Sequence, residues 1–340
     1  MSDSRRELGF RIVRYLVAVV AIGWLISRGE WQSTADVLTS VSPLVVGVLV
    51  ALSAAGLLFR FLMWYGLLRY VKPVSYWTAA EIDLIVNFVN QLLPSQLSGR
   101  SLAPLLVSNR LDVEIGTGIG LTGVSTGLYA VVYGVVALLG IGLLFQELSA
   151  SVLALIGLST ALYIAAGVVI LSAGLHSGLV DGVAERVEPW VRRLPKIGAR
   201  AADLFNRVPE FTQQSMALFS ETLRSPRTVG LYLVGWVGSV ALFPALRITV
   251  LFEALGASFT PIVLLPIVII AAYSVTLLPI TPGGIGITEA TAAIVFVSLG
   301  VPYEIAASSV LVDRVIGVYA PALLGWYPMV RTELSIPDLK

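Results

Sequence analysis

A polytopic, all-α membrane protein is the fold class this sequence predicts, on three observations. Hydrophobic residues make up 57% of the 340 and charged residues only 13%, with a mean hydropathy of +0.89; a soluble domain carries about 25% charge. Several apolar runs reach the roughly 20 residues that a helix needs to cross a bilayer. Between them lie two stretches broken by proline and glycine, and broken backbone at membrane depth is tolerated only inside protein or along a polar cavity. The expectation is about six full spans plus two broken, re-entrant helical hairpins in an inverted repeat, all within one transmembrane domain, 1–340.

The elements follow in order. Arg5, Arg6, Arg11 and Arg14 precede or open the first apolar run, 10–26, which the positive-inside rule places with its amino end in the cytoplasm. That run is long and lacks a small-residue cleavage site, so it reads as a retained span. Span 43–68 follows with Arg60 inside it, and Arg69 and Lys72 mark the return to the cytoplasm. Segment 78–110 is too polar to face lipid. Asn87, Asn90 and Gln91 fall at helical spacing on roughly one face. Pro94 and Gly99 then interrupt the helix just before Arg100, leaving two arms and a broken tip. Glu81 and Asp83 sit near the cytoplasmic mouth, where solvation is expected.

Spans 116–145 and 151–171 come next; Gly116, Gly118, Gly120, Gly123 and Gly127 allow close helix packing in the first of them. Segment 175–227 is the most polar part of the chain. Val180, Val183, Val187, Trp190 and Leu194 recur at three- to four-residue steps among arginines, the pattern of an amphipathic helix on the cytoplasmic membrane surface. Span 231–255 carries Arg247. The second broken hairpin, 261–299, turns at Leu277-Leu278-Pro279-Ile280-Thr281-Pro282-Gly283-Gly284-Ile285-Gly286 and continues through Glu289. Span 305–330 closes the set with Asp313 and Arg314 inside it.

These pieces pair. Leu92-Leu93-Pro94 with Gly99 matches Leu277-Leu278-Pro279 with Gly284 at the same offset, and Arg60 and Arg247 each precede their proline by a little over thirty residues. The order span, hairpin, span thus occurs twice, at 43–145 and 231–330. Because a hairpin returns to its own side, the first opens from the cytoplasm and the second from the exterior. Two halves of opposite topology with matching interruptions point to a transporter site near the midplane.

Charge inside a bilayer is costly, about 2.5–3.5 kcal/mol or more per residue, so Arg60, Arg247, Arg314, Glu289 and Asp313 should face the protein interior. They could simply pair to hold helices together, and Arg60, Arg100 and Arg314 could snorkel to an interface. Counted along the sequence, however, arginines near the broken turns outnumber Glu289 and Asp313. A surplus of guanidinium groups beside the exposed amides of helix starts suits an anion, and its fork suits phosphate oxygens. Other chemistry is poorly supplied. Cysteine is absent and His176 is the one histidine, so neither a thiolate nor a multi-histidine metal site can form. Residues 282–286 lack the lysine and hydroxyl of a phosphate-binding loop. No nucleophile–base pair stands out, so no enzyme, cofactor, metal or nucleic-acid partner is expected.

The second broken turn, with Glu289 and the later Asp313-Arg314, resembles the flippase-like transmembrane region of lysylphosphatidylglycerol synthases, which also occurs in stand-alone archaeal and bacterial proteins. Asn90-Gln91-Leu92-Leu93-Pro94 with Gly99 matches that family's first motif. There are two departures. Arg100 follows Gly99 where the family usually has glutamate, and a Glu-Arg pair common in the family has no clear counterpart in 116–145. The family's soluble aminoacyl-transferase domain has no counterpart in these residues, so lipid aminoacylation is not expected.

The functional expectation is a flippase or scramblase in the cell membrane, both ends cytoplasmic, moving a polyprenyl-phosphate-linked sugar or a phospholipid. Arg60, Arg100, Arg247 and Arg314 with Asn87, Asn90 and Gln91 would hold the head group. Thr281, Gly283, Gly284 and Gly286 would let backbone approach it, and Glu289 and Asp313 would balance charge or carry a proton. A transporter of a small anion is one alternative. A membrane partner that presents lipid to a glycosyltransferase or another lipid-modifying enzyme is the other.

Overall fold

The computed structural model describes residues 31–92, 102–175, 208–278 and 281–331, and those residues are helical with no strand among them. The expected first span, the amphipathic residues 180–194, His176, the first tip with Arg100, and Pro279 lie outside the described residues. A short helix α1 (Trp31–Ser40) leads into α2 (Pro43–Val71), α3 (Tyr76–Leu92), α4 (Ala103–Leu111), α5 (Ile115–Leu144) and α6 (Ala150–Leu175). Then come α7 (Val208–Arg224), α8 (Pro226–Trp236), a π-turn (Val237–Leu242), α9 (Phe243–Ala254), α10 (Leu265–Tyr273), α11 (Ile287–Ser298), α12 (Tyr303–Arg314), a second π-turn (Val315–Tyr319), α13 (Ala320–Leu324) and α14 (Trp326–Arg331).

Among the described residues, five continuous helical stretches are long and apolar enough to cross a membrane: Pro43–Val71, Ile115–Leu144, Ala150–Gly174, Pro226–Ala254 and Tyr303–Arg331. They lie where the hydrophobic runs predict them. Their ends are chemically marked. Ser42 caps α2 by accepting from the Val45 amide at 3.4 Å, with Pro43 in the first turn, and Ser225 with Pro226 does the same for α8. Pro73 forbids continuation of α2, and Lys72 turns away so that its ammonium donates to the Leu111 carbonyl at 2.7 Å.

The helices between these spans are shorter. α3 has 17 residues and α11 has 12, about 26 and 18 Å at 1.5 Å per residue, against a hydrocarbon core of roughly 30 Å. α3 and α10 bury side chains all round their axes rather than along one stripe, which marks helices enclosed by protein. Around them the long spans pack closely on glycine. A Cβ at Gly134 would fall 2.6 Å from Ile164, one at Gly167 2.8 Å from the Val131 amide, and one at Gly235 2.6 Å from the Phe59 carbonyl. At the end of segment 175–227, α7 packs on the bundle: Phe219 is buried against Gly123 of α5 and Gly174 of α6.

A tight contact with fixed backbone lies between α4 and α5, where a Cβ at Gly118 would meet the Pro104 carbonyl oxygen at 2.4 Å. Backbone cannot swing aside as a side chain can. Gly118→Ala should therefore destabilise the protein by about 1–3 kcal/mol, the usual cost of overpacking, seen as a lower unfolding temperature in detergent. Gly142→Ala, where nothing lies within 4 Å, should leave it unchanged.

Candidate functional site

Three buried ion pairs organise the interior. In the first, Arg60 of α2 donates through Nε to Asp83 Oδ2 of α3 at 2.7 Å. In the second, Arg247 of α9 donates through Nε to Asp313 Oδ1 of α12 at 2.7 Å, and the Tyr273 hydroxyl of α10 donates to the other oxygen at 2.9 Å. In the third, Arg314 of α12 donates through Nε to Glu289 Oε1 of α11 at 3.0 Å. Its Nη2 reaches the Gly283 carbonyl at 3.1 Å and the Tyr319 hydroxyl at 3.3 Å, and that hydroxyl donates to Glu289. Asp83 is only 5% exposed, not solvated, and it joins Glu289 and Asp313 as a third interior carboxylate; Arg100 lies outside the described residues. The three described interior arginines are matched by three carboxylates.

A cavity of about 160 Å³ opens between these pairs. Arg60, Met63 and Trp64 line it from α2, and Asp83, Val86, Asn87, Asn90 and Gln91 from α3. Ser125, Tyr129 and Tyr133 face it from α5, Tyr273 from α10, and Arg247, Asp313 and Arg314 from the far side. Such a volume holds several waters or a small polar group. Both Arg60 and Arg247 spend Nε on their carboxylate, so the terminal nitrogens of each fork, carrying four of the five N–H groups, are not used by it. Arg60 Nη2, Asn87 Nδ2 and Gln91 Oε1 are buried with no hydrogen-bond partner. Gln91 is 1% exposed. Buried polar atoms without partners are few in native proteins; these three belong to residues of the cavity wall, and Gln91 Oε1 packs beside Gly283.

Arg247 has no slack sideways. A Cβ on Gly317 would stand 2.3 Å from its Nη2, and one on Gly56 would stand 3.7 Å from its Nη1. Gly317 belongs to the second π-turn, in which the Ala320 amide bonds the Val315 carbonyl five residues back. The first π-turn has the same bond from Phe243 to Gly238. Pro244 and Pro321 follow directly. A proline inside a span lacks the N–H that would close the next turn, and a π-turn is one way to re-pair the carbonyls it frees. π-turns are frequent at functional sites. Ser239, Val240 and Pro244 from one and Gly317 and Val318 from the other line the cavity.

The second break is placed differently from the cavity wall. Gly283, Gly284 and Gly286 have φ of 61°, 72° and 86°, values that favour glycine. The space beside Gly283 is filled by Gln91 and that beside Gly284 by Thr276 and Thr288, so these two glycines pack the break against protein. Neither they, Gly286, Thr281 nor Glu289 line the cavity. The start of α11 does not offer its amide either: Gly286 N–H donates to Glu289 Oε2 at 2.7 Å. Thr281 Oγ1 is buried without a partner. Sequence reasoning passed over Asp83, Tyr133, Tyr273, Tyr319 and both π-turns; tyrosines recurring beside interior arginines, and prolines within spans, were the available signals.

The Arg247–Asp313 pair makes a direct prediction. Asp313→Ala strands a guanidinium only 5% exposed and should cost about 3–5 kcal/mol. Asp313→Ala combined with Arg247→Ala should recover much of that loss in equilibrium unfolding. Losses that simply add would show that the two residues are not coupled.

The comparisons with known proteins agree with this architecture. A family described as the lysylphosphatidylglycerol synthase TM region matches residues 11–325, which include every residue of the cavity wall. A UPF0104 membrane protein of Methanothermobacter thermautotrophicus is 22% identical over 340 residues, covering 95% of this chain and 92% of the relative. A UPF0104 membrane protein of Pyrococcus horikoshii is 30% identical over 122 residues, 36% of this chain and 35% of the relative. No solved structure matches.

Proposed function

The chain belongs to the family of the lysylphosphatidylglycerol synthase transmembrane region, and from that premise we propose that it is a flippase or scramblase for a phosphate-bearing lipid, without enzymatic activity of its own. In this reading it sits in the cell membrane with both ends cytoplasmic, and the two broken hairpins are re-entrant halves of an inverted repeat. The head group, that of a polyprenyl-phosphate-linked sugar or a phospholipid, crosses by way of the arginine-lined cavity. One observation carries the reading. Arg60 and Arg247 both line the cavity and are electrically matched by Asp83 and Asp313, each through Nε, so those carboxylate bonds do not use the terminal nitrogens.

A guanidinium anchored by Nε presents a planar fork to a phosphate, and the anchoring carboxylate fixes the fork's direction. The buried pairs also answer the cost of placing charge at this depth, since each arginine is neutralised before a substrate arrives. A transporter of a small anion would draw on the same forks, and the modest cavity volume favours that second reading. Movement of a fluorescent lipid between leaflets of protein-containing vesicles, set against uptake of inorganic phosphate, separates them.

Two substitutions test the site while keeping its charge. Arg247→Lys retains the cation opposite Asp313 but offers one nitrogen in place of a fork. Gly317→Ala pushes the Arg247 guanidinium from its place, because the added methyl meets the flexible end of that side chain. Each should lower lipid movement at least about tenfold, the loss of roughly one charge-assisted hydrogen bond, with a smaller fall in unfolding temperature than Asp313→Ala, because a cation still faces Asp313. Undiminished lipid movement in both would exclude Arg247 from the path.

A further inference from the structure

We infer that Tyr273 is a positioning residue of the cavity: its hydroxyl occupies one oxygen of Asp313, which keeps Arg247 from closing its fork on that carboxylate and leaves the terminal nitrogens for a phosphate oxyanion. The inference rests on the proposed site and names a residue that acts there through another. A guanidinium facing a carboxylate commonly makes two parallel bonds, because the fork matches both oxygens. Arg247 makes one, from Nε to Asp313 Oδ1 at 2.7 Å, and among the described residues it makes no other hydrogen bond. The second oxygen, Oδ2, takes the Tyr273 hydroxyl at 2.9 Å instead. Arg314 shows the committed alternative, since its Nη2 is given to the Gly283 carbonyl and the Tyr319 hydroxyl. Of the two arginines of this half that line the cavity, Arg247 is the one with uncommitted terminal nitrogens.

The tyrosine is itself held in place. Its carbonyl accepts from Thr276 Oγ1 at 2.7 Å, and the Thr288 hydroxyl of α11 lies 2.9 Å from that same Oγ1. The next residue, Ser274, shares a hydrogen bond of 2.8 Å with Ser159 of α6. The Tyr273 ring lies against the Arg314 guanidinium, 5.8 Å from centroid to Cζ. Asp313 is only 1% exposed, so without the tyrosine hydroxyl its Oδ2 would be a buried acceptor in need of a donor. Donors already stand on the paired residue, in the terminal nitrogens of Arg247. A small turn of the guanidinium would close the second bond, and an incoming phosphate would then have to break it.

Binding to the purified full chain in detergent tests this, with dioctanoyl phosphatidylglycerol and inorganic phosphate as probes. Tyr273→Phe keeps the ring against Arg314 and removes only the hydroxyl, and it should weaken binding at least about tenfold. Arg247→Lys has no fork to close, so adding Tyr273→Phe to it should cost nothing further. Asp313→Asn keeps an acceptor for Nε and puts an amide donor where the second oxygen stood. Added to Tyr273→Phe it should restore binding, a recovery that a misfolded protein cannot give. Full affinity in Tyr273→Phe overturns the inference and leaves the site standing. A tenfold loss that persists in the Arg247→Lys background also overturns it, because Tyr273 would then touch the ligand itself. Full affinity in Arg247→Lys alone, or binding of neither probe by the unaltered chain, removes the proposed site and the inference with it. The pattern upholds the inference with either probe: binding of the lipid alone assigns the site to a head group, and binding of phosphate alone to a free anion.

Discussion

Two oppositely charged neighbours, Asp313 and Arg314, hold the second half of this protein together. Adjacent helical residues point about 100° apart, so each reaches a different set of partners. Asp313 gathers Arg247 of α9 and Tyr273 of α10; Arg314 gathers Glu289 of α11, the Gly283 carbonyl of the break and Tyr319 beyond the π-turn. One dipeptide thereby fixes three other helices and the irregular backbone between two of them. The stakes are set by depth: in an apolar interior a single missing partner costs several kcal/mol, while a completed network is affordable. Arg314 is only 2% exposed, and each of its named contacts belongs to that network.

The two halves spend their arginines differently. Arg60 of α2 pairs with the next helix, α3, whereas Arg247 of α9 pairs with α12, beyond α10 and α11. Similar element order therefore comes with dissimilar charge wiring. The first half has partnerless buried atoms at Arg60, Asn87 and Gln91, and the second half carries the larger network of paired charges around Asp313 and Arg314. Under the proposed function, recognition and rigidity fall to opposite walls of one space, with Arg247 on the rigid side.

Much of this was legible in the sequence because the bilayer is a severe editor. Apolar runs long enough to span appear as helices at 43–71, 115–144 and 150–174, within a few residues of where hydrophobicity alone puts them. Asn87, Asn90 and Gln91 could be placed on one face by spacing, and they do line one cavity. Pairing was not legible. Asp83 lies about two turns from the start of α3, near an end where water would be the ordinary partner, and only the approach of α2 brings Arg60 within 2.7 Å. Glycine in the second break was ambiguous for a different reason: positive φ and close approach to a ligand demand the same residue, and here the neighbours are Gln91, Thr276 and Thr288. The π-turns leave no hydrophobic signature at all, since one additional residue in an apolar span changes the register without changing composition.

That extra residue matters for how this chain is compared with its relatives. A π-turn is a helix that has absorbed an insertion, so two homologous spans can differ by one residue there and still begin and end at the same depth. At 22% identity, an alignment that forbids gaps inside spans would match Arg247 or the residues after Tyr319 to positions rotated by about a quarter turn. Whether an ancestral arginine persists or was lost at these sites can be judged only by allowing a one-residue gap within Val237–Leu242 and Val315–Tyr319.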